Sequence, residues 1–552
     1  MKHETRNGTA ARGADAFDYV IVGGGSAGCV LANRLSADPG SRVCLLEAGP
    51  RDWNPFIRIP VGVIALMRSR LFNWGYYTEP QPRLNGRRLF WPRGKTLGGS
   101  SSVNAQCYTR GNAADYDHWA ELGNRGWGYR DLLPYFRKSE NYLVGAENEY
   151  HGTGGGYTVS SLRHTNKLSH VFLRAAEACG FPRNDDFNGP SEEGFGFYDV
   201  AQRDGRRCSN ADAFLHPVAD RRNLVVRTRA RATRLLFEGD RAVGVEYRRG
   251  WLRRRRRVYA TREVILAGGA INSPQLLLLS GVGPREELAR HDIPVRHELP
   301  GVGRNLQDHL DINVIRRERT RESLNLGPRW LLLKGVPALF AYLLRRRGPL
   351  ASNVAECGGF AKLDPADTVP SLQCHFIAAI EQDHGHRLWN TFRYHGYSLR
   401  VCDLRPLSRG HIGLNSADPT DDARIEPNYL AEERDLENLV AAVKLARRLL
   451  AAAPFDPHRG PEMEPGEDVR TDDEIRAFVR QRAETIYHPV GTCKMGHDDM
   501  AVVDDRLRVH GLRGLRVVDA SIMPTLVGGN TNAPTTAIAE KGSEMILEDN
   551  EG

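Results

Sequence analysis

Residues 17–49 read FDYVIVGGGSAGCVLANRLSADPGSRVCLLEAG, and the fold is decided there. The run from Asp18 to Val22 is largely apolar and rich in β-branched residues. It breaks at a glycine cluster and gives way to a helical pattern at Cys29, Leu31, Ala32 and Leu35. Strand, tight turn and helix are therefore expected. Gly23, Gly25 and Gly28 fit G-x-G-x-x-G, in which one glycine permits the turn, one lets the backbone approach a pyrophosphate and one lets the helix lie close on the sheet. The bare N–H groups of that helix N-terminus face an anion. A second apolar strand, Val43 to Leu46, ends in Glu47, where an acidic side chain is placed to take ribose hydroxyls. The unit is expected to bind a dinucleotide carrying AMP, and by itself it leaves NAD and FAD both open.

A chain of 552 residues exceeds one core of usual size, so two or three domains are expected. With 26% charged and 41% hydrophobic residues, the composition is that of a globular protein. Residues 1–16 are polar without the apolar segment of a secretory signal, and no run reaches the ~18 apolar residues of a membrane span. The default location is the cytoplasm. The formal charge of +8 is a small excess of 76 basic over 68 acidic residues, and its densest run, Arg253 to Arg257, reads as a solvated hairpin end between Val243 and Val258. No aromatic platform accompanies it, so nucleic acid is not an expected partner. Nine cysteines without a C-x-x-C pair read as reduced thiols, and no metal site is indicated.

After Glu47, residues 50–93 show no clear periodicity but carry Trp53, Phe56, Trp74, Tyr76, Tyr77 and Trp91. A segment this long in a compact protein has something to cover, and we read it as an arm over the cofactor. It leads into R-G-K-T-L-G-G-S-S-S-V-N at Arg93–Asn104, whose glycines and serines supply backbone and hydroxyl donors.

That stretch resembles the first signature of the glucose–methanol–choline (GMC) family of FAD-dependent oxidoreductases. Gly269 to Gly283, GAINSPQLLLLSGVG, resembles the second, and similarity runs from about Phe17 to about Met545. The resemblance implies an α/β fold: a Rossmann-like FAD-binding domain, discontinuous in sequence, with an α+β substrate domain built on an antiparallel sheet. The implied order is FAD domain 17–160, substrate domain 161–205, FAD domain 206–310, substrate domain 311–480 and FAD domain 481–547. It also implies FAD rather than NAD, which agrees with the single complete fingerprint. The implied FAD contacts are Gly23, Gly25, Ser26, Ala27, Gly28, Glu47 and Ala48 in the opening unit, and Arg93, Gly98, Gly99, Ser100, Val103 and Asn104 in the first signature. Ala232, whose backbone is expected near adenine, and Ala267 follow in the middle of the chain. Asp519, Ala520, Asn530, Thr531, Pro534 and Thr535 complete the set near its end. Some relatives tie FAD covalently through a histidine at the place of Val103; valine cannot, so noncovalent FAD is expected.

Within the expected substrate domain, Leu372–Ala378 and Tyr397–Leu404 alternate like half-buried antiparallel strands, and Leu436–Ala453 reads as an amphipathic helix. Trp330–Leu344, WLLLKGVPALFAYLL, precedes three arginines. It is too short to span a bilayer and is interrupted by Gly335 and Pro337, which leaves a buried or lid helix and an interfacial patch as the two readings. The second would put the protein peripherally at the inner membrane.

Alcohol oxidation by a flavin needs a base for the hydroxyl proton, and a histidine near its ordinary pKa of about 6.5 suits that task. His488, in H-P-V-G-T, matches the family's catalytic histidine. Its partner, an asparagine or histidine in the family, is expected forty-four residues on at Asn532, whose amide would position the alcohol. Choline-oxidising relatives have a glutamate near Asp311; the shorter aspartate argues against choline. The expected function is therefore FAD-dependent oxidation of a primary alcohol to an aldehyde, with electrons passed to a quinone, another carrier or O₂. A choline dehydrogenase, an O₂-using oxidase and a hydroxynitrile lyase with non-redox FAD are the alternatives.

Overall fold

The computed structural model describes residues 15–250, 254–325, 327–328, 331–383 and 389–551. The polar start up to residue 14, Arg253 of the arginine run and Trp330 of the apolar run lie outside the described residues.

The strand Ala16–Val22 runs parallel to Val43–Leu46 on one side and to Arg254–Leu266 on the other. Val43–Leu46 is flanked in parallel by Leu224–Arg227. Beyond Arg254–Leu266 the sheet turns antiparallel through Arg241–Arg249 and Ala230–Glu238, while Leu515–Val517 joins it in parallel at Val264–Leu266. The arginine run sits where Arg254 pairs with Arg249, its side chains exposed, as a solvated hairpin end requires. Tyr19, Val20 and Ile21 are fully buried, consistent with a parallel strand covered on both faces.

The fingerprint helix, Ser26–Leu35, follows directly. Gly23 has φ +111°, and a Cβ there would lie 2.3 Å from the carbonyl oxygen of Ala267. A Cβ on Gly28 would lie 1.8 Å from the carbonyl oxygen of Gly23, so helix and turn are in backbone contact. The C-terminal helix, Asn532–Glu551, packs on the fingerprint helix, and Arg34 holds Glu540 through two hydrogen bonds of 2.8 and 2.6 Å.

The second sheet is antiparallel, in the order Arg459–Glu464, Leu310–Glu318, Gly396–Asp403, Leu372–Ile377, Cys357–Ala361 and Gly194–Phe197. Glu484–Thr485 add to it beside Leu310 and Asp311. Its central strands are not half-buried as their alternation suggested; both faces are covered. Leu372, Cys374 and Phe376 join the core with the helices Lys167–Ala178 and Glu433–Ala451, whereas His375, Ile377, Ala379 and Glu381 line a cavity. The period of two thus separates core from cavity rather than core from water.

The arm over residues 50–93 is not simply extended. It contains short helical turns at Pro55–Arg58, Pro60–Gly62 and Val63–Leu66 and a strand pair of Tyr76–Tyr77 with Phe90–Trp91. It faces the same cavity, which therefore lies between the two sheets with the arm along one side.

Gly28→Ala tests the helix–turn contact. The added methyl is expected to displace the helix from Gly23 and to cost about 1–3 kcal/mol, as overpacking does. Thermal unfolding of the purified variant reads this directly, and an unchanged midpoint would contradict the packing described.

Candidate active site

The cavity measures about 1200 Å³. At one end it is built from glycines. A Cβ on Gly25 would meet only the Cα of Gly99, at 3.9 Å, so this face of the helix N-terminus is open to a ligand. Gly99 has φ +53°, and a Cβ there would lie 2.7 Å from the Cα of Gly25. The first signature is thereby pressed onto the fingerprint. Of the residues expected at FAD, Ser26, Ala27, Ala48, Arg93, Ser100, Asn104, Ala232 and Ala267 line the cavity, together with Ala520, Thr531 and Thr535. Gly28, Gly98 and Pro534 are not among the lining residues. Gly28 packs on the turn, the Gly98 N–H donates to the Gly24 carbonyl at 2.8 Å, and Pro534 occupies the first turn of the C-terminal helix, where a missing N–H costs nothing.

Two buried carboxylates brace this end. Glu47 accepts from the N–H of Gly24 at 2.9 Å and of Gly49 at 2.6 Å, and burial pushes its pKa up to about 7. Asp519 accepts from the N–H of Gly269 at 2.8 Å, the Ser273 hydroxyl at 2.6 Å and the N–H of Ser521 at 2.8 Å, and burial raises its pKa too. Asp519 therefore ties the start of the second-signature helix, Gly269–Leu279, to the C-terminal segment. Val103 clusters with Ile57, Leu66 and Phe72 and offers no nucleophile.

At the other end stand the histidines. His488 is 7% exposed and lines the cavity. The preceding Tyr487 has φ +73°, a left-handed conformation that a bulky residue adopts only under constraint. The constraint is visible on both sides: Arg93 donates to the Tyr487 carbonyl at 2.6 Å, and Asp308 accepts the His488 N–H at 2.7 Å. Asp308 is held in turn by the hydroxyls of Thr485 and Tyr429.

The ring contacts determine which nitrogen of His488 carries a proton. His309 Nε2 faces the Leu404 carbonyl at 3.3 Å, and a carbonyl only accepts, so that nitrogen bears the proton. Burial holds the pKa of His309 at about 3, so its Nδ1 is bare. The 2.9 Å contact between the two Nδ1 atoms then requires His488 to donate. Its Nε2 is left with a lone pair turned toward the Asn530 amide nitrogen, 3.2 Å away. Asn530 is oriented for this because its carbonyl oxygen accepts from Thr109 at 3.1 Å and from Gln373 at 3.2 Å.

Two expectations are corrected here. Asn532 does not stand beside His488. It begins the C-terminal helix, and its side chain turns back to Ser26 at 2.6 Å, Tyr157 at 2.7 Å and Asn210 at 3.2 Å. Asn530, expected only as a flavin contact, is the residue at His488. Nor is the His488 pKa near its ordinary value: burial, reinforced by His309, His375 and Arg93, lowers it well below 6.5. Sequence reasoning assigned no role to Asp308, His309 or His375. The D-H doublet of GVGRNLQDH was the available signal for the first two, while His375 sits in a strand with no motif to mark it.

Farther along the cavity wall, Arg400 takes both oxygens of Asp311, at 2.5 and 2.8 Å, and donates to Glu381 at 2.7 Å. Arg400 and Glu381 line the cavity, and Asp311 stands behind them.

Residues 17–311 and 406–539 match the N- and C-terminal GMC oxidoreductase profiles. The chain is 50% identical over 531 residues to an alcohol dehydrogenase (acceptor) of Pseudomonas putida, covering 96% of each chain. It is 45% identical to the mitochondrial choline dehydrogenase of Mus musculus, over 97% of this chain and 90% of that one. Among solved structures it resembles pyridoxine 4-oxidase from Mesorbium loti with a TM-score of 0.85 and 33% identity, covering 96% and 98% of the two chains. The chain belongs to the GMC oxidoreductase family. Its cofactor is FAD, and the open glycine cradle at Gly25 and the size of the cavity fit it.

With valine at 103, FAD is held without a covalent bond. Acid or heat denaturation of the holoenzyme is expected to release all flavin into the supernatant; flavin remaining with the precipitated polypeptide would contradict this.

Proposed function

We propose that the protein oxidises a neutral primary alcohol, aliphatic or aromatic, to its aldehyde and delivers the electrons to a quinone, another carrier or O₂ rather than to NAD. FAD, when bound, supplies the hydride acceptor. The reading rests on the lone pair of His488 Nε2, buried beside an amide whose orientation is set by other residues. An alcohol entering between His488 and Asn530 gives its hydroxyl proton to Nε2, since Nδ1 already carries one, while the Asn530 amide donates to the substrate oxygen. His309 keeps the tautomer in place, and Asp308 and Arg93 keep the ring in position.

Arg400 supports neutral alcohols over choline. A trimethylammonium entering the cavity meets in the wall a guanidinium paired with the Glu381 carboxylate, and the carboxylate of Asp311 behind it is engaged by the same arginine. The relatives include both an alcohol dehydrogenase and a choline dehydrogenase, and this wall supports the first reading.

An anaerobic screen of alcohols, choline included, followed by loss of the oxidised flavin band tests the proposal. Neutral alcohols are expected to bleach the flavin, with choline about tenfold or more below them in kcat/KM. Bleaching by no alcohol would overturn the reaction, and preference for choline the specificity.

His488→Ala is expected to slow anaerobic flavin reduction by about 10²–10⁴-fold with FAD content retained. Asn530→Ala should also slow it, by less, whereas Asn532→Ala should weaken FAD retention. An Asn532→Ala enzyme slowed as much as Asn530→Ala, with full FAD, would reverse the assignment.

The pH profile carries a further expectation. Only neutral His488 accepts a proton, and burial lowers its pKa, so the neutral form persists to more acidic pH than for an ordinary histidine. The acidic limb of flavin reduction should fall well below pH 6.5; a limb at or above that value would contradict the buried, neutral base.

A further inference from the structure

Residues 331–347 read LLLKGVPALFAYLLRRR. They form a wide turn over Leu331–Gly335 that continues as the helix Val336–Arg345. Ala338 and Tyr342 are the buried residues of this helix. The Tyr342 hydroxyl reaches the Arg58 carbonyl at 3.4 Å, so a narrow stripe seats the helix against the arm. The outward side is as apolar as the inward one: Leu332, Leu333, Phe340, Leu343 and Leu344 are 56% to 79% exposed. A helix that is apolar all round belongs in a core or against lipid, and a contiguous patch of this kind marks an interaction surface. Trp389 and Phe392, both exposed, extend it, since a Cβ on Gly327 just before the turn would lie 2.8 Å from the Phe392 carbonyl.

Two observations identify what covers it. The first is charge. From Ser323 to Ala355 the sequence contains no aspartate or glutamate, but it has Arg329, Lys334, Arg345, Arg346 and Arg347. A symmetric pair of copies would set these cations against one another, whereas anionic headgroups complement them. The second is the place of the opening. Phe56, Leu331, Val336 and Leu339 line the active-site cavity and are also 44% to 49% exposed, so the cavity opens within the apolar patch.

We propose that this face docks on a bilayer carrying anionic lipids. The outer side of the helix lies at the boundary of headgroups and acyl chains, Lys334, Arg345 and Arg347 lie at phosphate level, and the cavity mouth opens into the apolar layer. Among the described residues no helix is long and apolar enough to cross a membrane, which makes the contact peripheral. Lipid-dissolved alcohols, or a lipid-dissolved electron acceptor, then enter without crossing water. That last consequence rests on the proposed reaction; the docking does not.

Flotation of the FAD-loaded enzyme with vesicles separates the two. The enzyme is expected to float with vesicles of phosphatidylcholine and phosphatidylglycerol, less with phosphatidylcholine alone, and less in high salt. Phe340→Ser with Leu344→Ser, and separately Arg345→Glu with Arg347→Glu, should each lower the bound fraction by at least about tenfold. None of these residues lines the cavity, so FAD content and anaerobic reduction by a short, water-soluble alcohol should match the unaltered enzyme. Failure of the unaltered enzyme to float, or undiminished flotation of both variants, overturns the proposal. So does a dimer in sedimentation that Phe340→Ser with Leu344→Ser dissociates, which would assign the patch to a second copy.

Discussion

The backbone contact between Gly25 and Gly99 is the constraint on which the site depends. A pyrophosphate is held at a helix N-terminus only if no side chain screens the N–H groups, and a second loop can close over that terminus only if it too lacks a side chain at the contact. A Cβ on Gly99 would fall 2.7 Å from the Gly25 Cα, so Gly99 tolerates no side chain without a shift, while a side chain on Gly25 would take up the space left open to the ligand. The rest of the first signature is placed from there. Asn104 accepts from Arg207 at 2.6 Å, Arg93 reaches the carbonyl before His488, and Val103 packs into the arm. Cofactor cradle and reacting end are thus connected through one short stretch of chain.

At the reacting end, burial does two things at once. It removes water that would compete for the histidine nitrogens, and it makes each charged imidazole costly, so the pair His309–His488 stays neutral. In a neutral chain of this kind the direction of every hydrogen bond is inherited from its end, and that end is the Leu404 carbonyl. A main-chain oxygen just past the strand Gly396–Asp403 therefore sets which nitrogen of His488 faces the cavity.

Much of this was legible in the sequence because the fingerprint and the two signatures each combine residue types with a local geometry. Gly23 and Gly28 do what their patterns imply, turn and close packing, whereas the anchorage of a helix start by Asp519 is seen only in the structure. Two central strands of the second sheet were found, but their burial was misread, since alternation shows that two faces differ and not whether the second meets water or a cavity. His375 on one face and Cys374 on the other illustrate it. Asn530 and Asn532 were confused because N-x-N offers two candidates and counting along the chain does not show where the helix begins. His309 acts through contacts with residues 95 and 179 positions away, which no local pattern encodes.

The C-terminal segment supplies Asn530, anchors the second-signature helix through Asp519 and clasps the fingerprint helix through Asn532 and Ser26, two residues 506 positions apart. The order of synthesis therefore runs opposite to the order of assembly. The nucleotide-binding turn leaves the ribosome 506 positions ahead of the residue that clasps it, and contacts of such long range form slowly. A nascent chain can fold its strand–helix–strand unit early, but an enclosed flavin site must wait for the helix Asn532–Glu551, which makes cofactor capture a late event in the maturation of this enzyme.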